Sequence, residues 1–158
     1  MITFEKENNK FNFRVAGIAI HDNRILLHTT LKDDFWNLPG GRVEFNESTD
    51  LTILREIKEE LDIEVRIEEL LFVNEDFFEY DGKKYHEICF YYLITFPLGH
   101  EIIRIDDEFY GIEDEGRLIF KWFLIDQLIE LNVYPEILRT ELLKLKANNQ
   151  IHHFVNHQ

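Results

Sequence analysis

The strongest constraint on this chain is a single change of hydrophobic period at Ser48. Before it, apolar residues come in strand-length blocks. Residues 15–20 and 25–28 flank His21-Asp22-Asn23-Arg24; the Asp-Asn pair suits a tight turn, so the two blocks predict a hairpin. Over 48–61 the step changes. Leu51, Leu54, Ile57, Lys58 and Leu61 fall three or four residues apart, and all but Lys58 are apolar. That spacing predicts an amphipathic helix. Ser48 is its expected N-cap, with Glu47 and Asp50 placing negative charge at the positive end of the helix dipole. Position 51 is Leu, so no capping box forms. Asp62 is expected to end the helix, because Asp tolerates the left-handed conformation better than most residues.

Extended patterning returns beyond the helix. Residues 63–67 alternate, 70–80 are aromatic, Asp81-Gly82 is a hairpin signal, and 85–96 are apolar enough for a central strand. Residues 43–45 read as a short strand. The acidic stretch 97–116 reads as a long loop, a length that marks functional or mobile segments. A strand is expected over 118–123 and helices over 126–131 and 136–146, with Pro135 in the first turn of the second. Residues 148–158 are polar and are expected to be loosely held. Hairpin, helix, hairpin, strand, helix makes an α+β chain, an α/β/α sandwich with a mixed sheet, in one domain over 1–147. The 158 residues, 45% of them apolar, suffice for one core.

Lys plus Arg number 17 against 31 Asp plus Glu, a formal charge of −14. Such a surface repels duplex phosphate and anionic lipid, so no duplex nucleic acid and no membrane are expected as partners. Cys89 is the only cysteine, so no intrachain disulfide is possible. The longest apolar run, 88–96, is too short to span a bilayer as a helix. Residues 1–10 carry Glu5 and Glu7 without a long apolar core, unlike a signal peptide. The expectation is a cytoplasmic protein, monomeric or homodimeric.

The chemistry sits around the helix. Leu38-Pro39-Gly40-Gly41 is followed by five residues and Glu47, then seven more and Arg55-Glu56-Ile57-Lys58-Glu59-Glu60. Glu56, Glu59 and Glu60 are three and four apart, so they project from neighbouring positions of one helix face, largely away from the stripe of Leu51, Leu54 and Leu61. Three carboxylates held close repel one another. Hard divalent cations among them turn that repulsion into binding, and Mg²⁺ prefers oxygen ligands.

This stretch resembles the Nudix box. Gly41, Glu47, Arg55, Glu56, Ile57, Glu59, Glu60 and Ile63 match it, and Asp62 stands where the family has glycine. The approach Trp36-Asn37-Leu38-Pro39-Gly40 is also similar. The resemblance implies the Nudix sandwich with its catalytic loop-helix-loop, and hydrolysis of a phosphoanhydride in a nucleoside diphosphate derivative by water attack on phosphorus. It implies that Glu56, Glu59 and Glu60 hold Mg²⁺, with Mn²⁺ as a possible substitute. Gly40 matches a position whose carbonyl often joins them, and Arg55 and Glu47 match a pair bracing the loop against the helix. A polyanionic diphosphate meets an acidic protein only through such metals, which neutralise oxygens and acidify an attacking water. Asp in place of the glycine implies a cost on the order of 1 kcal/mol at the helix end rather than lost chemistry.

Outside the box, Trp36 either stacks on substrate or anchors the loop in the core. Gly41 and Glu87 are further substrate-site candidates, Glu87 because it enters an apolar strand beside His86. Cys89 reads as a buried small hydrophobe. Glu108, Glu113 or Glu115 could supply an extra acid from the late loop, and His152, His153 and His157 read as part of the loose tail. Two rivals differ in class: a nucleotide-binding or sensing module with catalysis lost, which would not need three repelling carboxylates, and an isoprenoid diphosphate isomerase, which needs a cysteine and acids at its own positions.

Overall fold

A hairpin opens the core. The computed structural model describes residues 1–145 and 151–157. In it β1 (Thr3–Lys6) leads into β2 (Asn9–His21), which turns through Asp22 and Asn23, φ 47° and 60°, into β3 (Arg24–Thr29). Two successive positive φ values are what a two-residue hairpin turn requires, and Asp and Asn bear them at modest strain. Then come β4 (Trp36–Asn37), α1 (Thr49–Leu61), β5 (Arg66–Tyr80) and β6 (Lys83–Thr95). Asp81 and Gly82 turn the second hairpin in the same way, at φ 49° and 72°. The chain closes with β7 (Phe109–Tyr110), β8 (Ile119–Leu124), β9 (Val133–Tyr134), α2 (Leu138–Leu145) and β10 (His152–His157).

The strands form a mixed sheet ordered β10-β5-β6-β2-β3-β4-β9, with β1 on β2 and β7-β8 on β3. Its spine is the long parallel pairing of β2 with β6, from Asn9 opposite Lys84 to Ala19 opposite Ile94. Alternation along the central strands divides the core between two layers. Leu26, Val15 and Ala19 pack with Ile53 and Ile57 of α1 on one face. Ile25, Leu27, Ala16 and Ile18 pack with Leu138 and Leu142 of α2 on the other. The result is the α/β/α sandwich expected from the order of elements. Gly17 lets α1 lie close, since a Cβ there would meet Ile94 Cδ1 at 2.6 Å and Ile53 Cδ1 at 3.3 Å. Among the described residues no helix is long and apolar enough to cross a membrane.

Several local expectations are corrected. Residues 43–45 make no strand; the segment is tied by single backbone bonds, such as Val43 N–H to the Phe13 carbonyl at 3.0 Å, before Asn46 turns at φ 63°. The late loop contains 3₁₀ turns at Glu101–Arg104 and Glu113–Glu115 besides β7. The helix expected over 126–131 is the 3₁₀ turn Ile125–Ile129. α2 begins at Leu138, beyond Pro135 rather than on it, and Lys146 lies outside the described residues. The tail is not loose where it is described: β10 pairs in parallel with β5 from His152 opposite Phe72 to His157 opposite Phe77. Phe154 meets Phe72 edge-on at 5.5 Å and His157 stacks on Phe77 at 4.6 Å. A polar composition hid an edge strand whose partner is eighty residues away. Positions 148–150 and 158 of that tail lie outside the described residues.

The buried face of α1 is rotated from the expected one and shares Ile57 with it. Leu51 is 56% exposed, while Ile53, Ile57 and Glu60 are buried. These three are spaced by four and three, an equally good helical stripe. The docked face is the one whose side chains meet β2 and β6, and it carries Glu60 inward.

Candidate active site

The loop entering α1 is laid against β2. Gly17 N–H donates to the Pro39 carbonyl at 2.8 Å and Val15 N–H to the Gly41 carbonyl at 2.9 Å. Gly40 sits at φ 144°, where a Cβ would run into the Val15 carbonyl and Ala16 Cα. A Cβ at Gly41 would occupy the place of the Glu56 carboxylate. The paired glycines therefore let backbone and carboxylate approach each other. Buried His28 supports this loop. Its Nε2 lies 3.1 Å from the Leu38 carbonyl, which can only accept, so Nε2 carries the proton. Burial, with Arg14 adding to it, pushes its pKa down to about 4 and keeps the ring neutral.

Ser48 occupies the N-cap position of α1 but makes no capping hydrogen bond. Glu47 is taken up by Arg55 instead, Nε to Oε1 at 2.8 Å and Nη2 to Oε2 at 3.0 Å, while Thr52 Oγ1 donates to Oε2 at 2.9 Å. These bonds hold the Glu47 carboxyl at a pKa of about 2. Arg55 also reaches Glu56 at 2.8 Å, Glu59 at 3.0 Å and the Arg42 carbonyl at 3.1 Å. One planar fork thus ties the entering loop to the helix, a task a lysine could not perform.

Glu60 differs. It is 3% exposed, and its Oε2 is buried without a hydrogen-bond partner. Burial first, then the charges of Glu56 and Glu113, push its pKa up to about 8; the Gly40 backbone and Arg14 act against them. Burial also raises Glu56, with Glu59 and Glu113 adding and Arg55 opposing. The three glutamates form a gradient, Glu60 buried, Glu56 largely covered, Glu59 half in solvent. Among the described residues no three His, Cys, Asp or Glu side chains converge as a finished metal cage; Glu56 and Glu59 are turned toward Arg55.

At its C-terminus α1 ends on Asp62, φ 57° and ψ 32°, as its residue type predicts. The Asp62 N–H donates to the Lys58 carbonyl at 2.9 Å, and its carboxylate pairs with Lys58 Nζ at 2.6 Å. The late loop docks beside it: Ile112 N–H donates to the Glu60 carbonyl at 2.8 Å. A Cβ at Gly111 would meet that carbonyl at 2.8 Å, so the docking needs glycine there. Of the three late acids, Glu113 is the one whose charge reaches Glu56 and Glu60. Glu108 and Glu115 are exposed, Glu108 opposite Lys121 at 4.0 Å.

A cavity of 530 Å³ opens from this loop across β2, β5 and β6. Glu87 borders it, accepting from Asn12 Nδ2 at 3.3 Å and facing Arg14 Nη1 at 3.9 Å. Trp36 does not border it. Its ring packs edge-on against Phe123 at 4.7 Å, and its neighbours Phe35 and Asn37 face the cavity instead. A strand turns successive side chains to opposite faces, so the aromatic beside the box is a core anchor. Buried Cys89 also borders the cavity; burial, then Glu87, pushes its thiol up to about 12.

Two site residues were not singled out from sequence. Arg14 links the cavity to the box, its Nη2 3.5 Å from the Gly40 carbonyl. Asp76 lies in the cavity wall. The available signal was a charged residue inside an apolar or aromatic strand, Phe13-Arg14-Val15 and Glu75-Asp76-Phe77. His152, His153 and His157 lie along β10 and gather no metal group among the described residues.

Comparison with known proteins fits this arrangement. A NUDIX domain profile matches residues 11–141. The RNA pyrophosphohydrolase of Ruthia magnifica subsp. Calyptogena magnifica is 25% identical over 150 residues, covering 85% of this chain and 83% of that protein. The 8-oxo-dGTP diphosphatase of Buchnera aphidicola subsp. Schizaphis graminum (strain Sg) is 28% identical over 127 residues, 78% of this chain and 85% of its own. The MutT protein from Bacillus halodurans superposes with a TM-score of 0.63 at 21% identity, covering 91% of this chain and 90% of its own, a likeness of fold.

Proposed function

We infer the reaction from one premise: this chain belongs to the Nudix family. It is a hydrolase of pyrophosphate bonds, in keeping with its pyrophosphohydrolase and diphosphatase relatives. The finer reading is ours. The chain cleaves a phosphoanhydride in a small nucleoside diphosphate derivative by water attack on phosphorus, with Mg²⁺ bound at α1 and Mn²⁺ able to replace it.

The observation that carries this reading is Glu60. A carboxylate buried with an unpartnered oxygen, beside a second covered carboxylate, is unfavourable in the chain alone. A hard cation relieves both the missing partner and the repulsion, and the donors at hand are all oxygens. Glu56, Glu59, Glu60 and the Gly40 carbonyl would hold it. When bound, the ion neutralises phosphate oxygens and makes the attacking water more acidic.

The chain's own residues do the rest. Arg55, through Glu47 and the Arg42 carbonyl, holds the loop that carries Gly40 against α1. Arg14, between Glu87 and that carbonyl, offers a cation to the diphosphate on the cavity side. Glu113, held by Arg117 at 3.2 Å, is the late acid whose charge reaches Glu56 and Glu60, and is the late-loop candidate to accept the proton of the attacking water.

The test is hydrolysis of nucleoside triphosphates, ADP-ribose and nucleotide sugars with Mg²⁺ and with EDTA, products identified by mass spectrometry. Turnover that EDTA abolishes and Mg²⁺ restores is expected. Folded protein with no turnover on any of these substrates would end the proposal.

A further inference from the structure

Asp76 and Glu87 stand directly opposite each other on β5 and β6, and both border the 530 Å³ cavity. Like charges across a ladder destabilise a sheet. Glu87 has Asn12 and Arg14 beside it. Asp76 is 9% exposed, and its Oδ1 is buried with no hydrogen-bond partner. Burial, with Glu87 adding to it, pushes the Asp76 pKa up to about 6, although the Phe77 backbone acts against this. At neutral pH Asp76 is therefore an ionised acceptor in the cavity lining whose bonding is incomplete. This second acid pair is separate from the glutamates of α1 and takes no part in the chemistry described above.

Aromatic rings make up part of the lining. Phe35, Phe78, Tyr80 and Tyr134 border the same space, with Phe78 stacked on Tyr85 at 4.9 Å. Such a lining suits a planar ring. A carboxylate can only accept hydrogen bonds, so it attracts an N–H edge and repels a ring nitrogen lone pair or a carbonyl. Guanine alone among the common bases presents two adjacent donors on one edge, N1–H and N2–H₂. Adenine and cytosine set a ring acceptor beside their amino group, and uracil flanks its N–H with carbonyls.

We propose that Asp76, paired with Glu87, is a specificity-determining residue that selects a guanine-type base by accepting from its two adjacent N–H donors. The diphosphate end of this assignment rests on the hydrolase reading above. Arg14 spans the two, within 3.9 Å of Glu87 and 3.5 Å of the Gly40 carbonyl.

Calorimetry with GMP, AMP, CMP and UMP in Mg²⁺ tests it. None of these has an anhydride to cleave, so binding is read whether or not the protein is a hydrolase. GMP should bind about ten-fold or more tightly than the others, the discrimination expected of a bidentate base contact. Asp76→Asn, isosteric and relieved of the cross-strand repulsion, should melt no lower than the parent. It should lose most of the GMP advantage and raise the KM for GTP with kcat nearly unchanged. Glu87→Gln serves as a second variant and should narrow the same ratio. Equal affinity for the four nucleotides in the parent protein, or an unchanged ratio in folded Asp76→Asn, overturns the proposal. A GMP preference without turnover of any substrate on the hydrolysis panel, guanine nucleotide sugars included, would sustain it and overturn the reaction instead.

Discussion

Glu47 and Glu60 are the same residue type at the two ends of one helix, and the fold drives them in opposite directions. At the N-terminal end Glu47 meets a guanidinium fork and a threonine hydroxyl, and its pKa falls to about 2. At the C-terminal end Glu60 is carried inward beside Ile53 and Ile57, left with an unpartnered oxygen, and raised to about 8. A carboxylate whose lone pairs are filled by the chain is scaffold. One that the chain buries and leaves unfilled is held for something from outside.

The largest effect expected from breaking this contrast is at Glu60. Glu60→Gln keeps the shape and removes the charge. Turnover should fall by about a thousand-fold or more, since a metal position is worth several kcal/mol in the transition state. The metal-free variant should melt at or above the parent at pH 8, because it no longer buries a repelled charge. Steady-state kinetics and melting curves in EDTA check both, and retained turnover would remove Glu60 from the metal set.

Arg55→Ala attacks the other end. It strands Glu47 and unties Arg42, and should cost about 3 kcal/mol, the range for breaking a largely covered ion pair. Urea melts measure it. Arg55→Lys should recover only part, since an ammonium cannot serve Glu47, Glu56 and the Arg42 carbonyl at once. A loss as small as that of an exposed ion pair would show the brace to be decorative.

The pH dependence sharpens the contrast further. Glu47 is lowered from 4.5 to about 2, so its contribution is full above 4.5 and is lost as pH falls toward 2. Glu60 is raised from 4.5 to about 8, so its contribution is full below 4.5 and is lost as pH rises through 8. Asp76 acts in the same sense as Glu60 but only between 3.8 and about 6. Metal-free melting temperature should therefore fall on both the acid and the alkaline side. Glu60→Gln should flatten the decline above pH 6 while leaving the acid limb unchanged. An alkaline decline that survives the substitution would assign it to other groups.

The smallest effect is at Asp62. Left-handed Asp costs on the order of 1 kcal/mol against glycine, and its exposed pair with Lys58 offsets little of that. Asp62→Gly should stabilise the protein by at most about 1 kcal/mol, the backbone cost relieved, and leave turnover unchanged. A large gain in turnover would show that the helix end is strained in a way that matters to the site.

These residues also mark what could be read without coordinates. Period, turn chemistry and motif spacing act over a few residues, so both hairpins, α1, its end at Asp62, the layered α+β class and the box around Gly41 were legible from the chain alone. The face of α1 was not. The expected stripe of Leu51, Leu54, Ile57 and Leu61 and the buried stripe of Ile53, Ile57 and Glu60 share Ile57, and only docking against β2 and β6 chose the second, burying a glutamate in the process. Trp36 was open between two roles until strand alternation turned it toward Phe123. The tail read as polar because its partner strand lies far away in sequence.

By itself, then, the sequence determined the local conformations and the chemistry of the motif, because both depend on neighbours along the chain. Tertiary structure alone decided which glutamate is stranded, which late acid faces it, and that Arg14, Asp76 and Glu87 share one cavity. Burial and electrostatic coupling are set by groups brought together from distant strands, and no short-range pattern records which groups those will be.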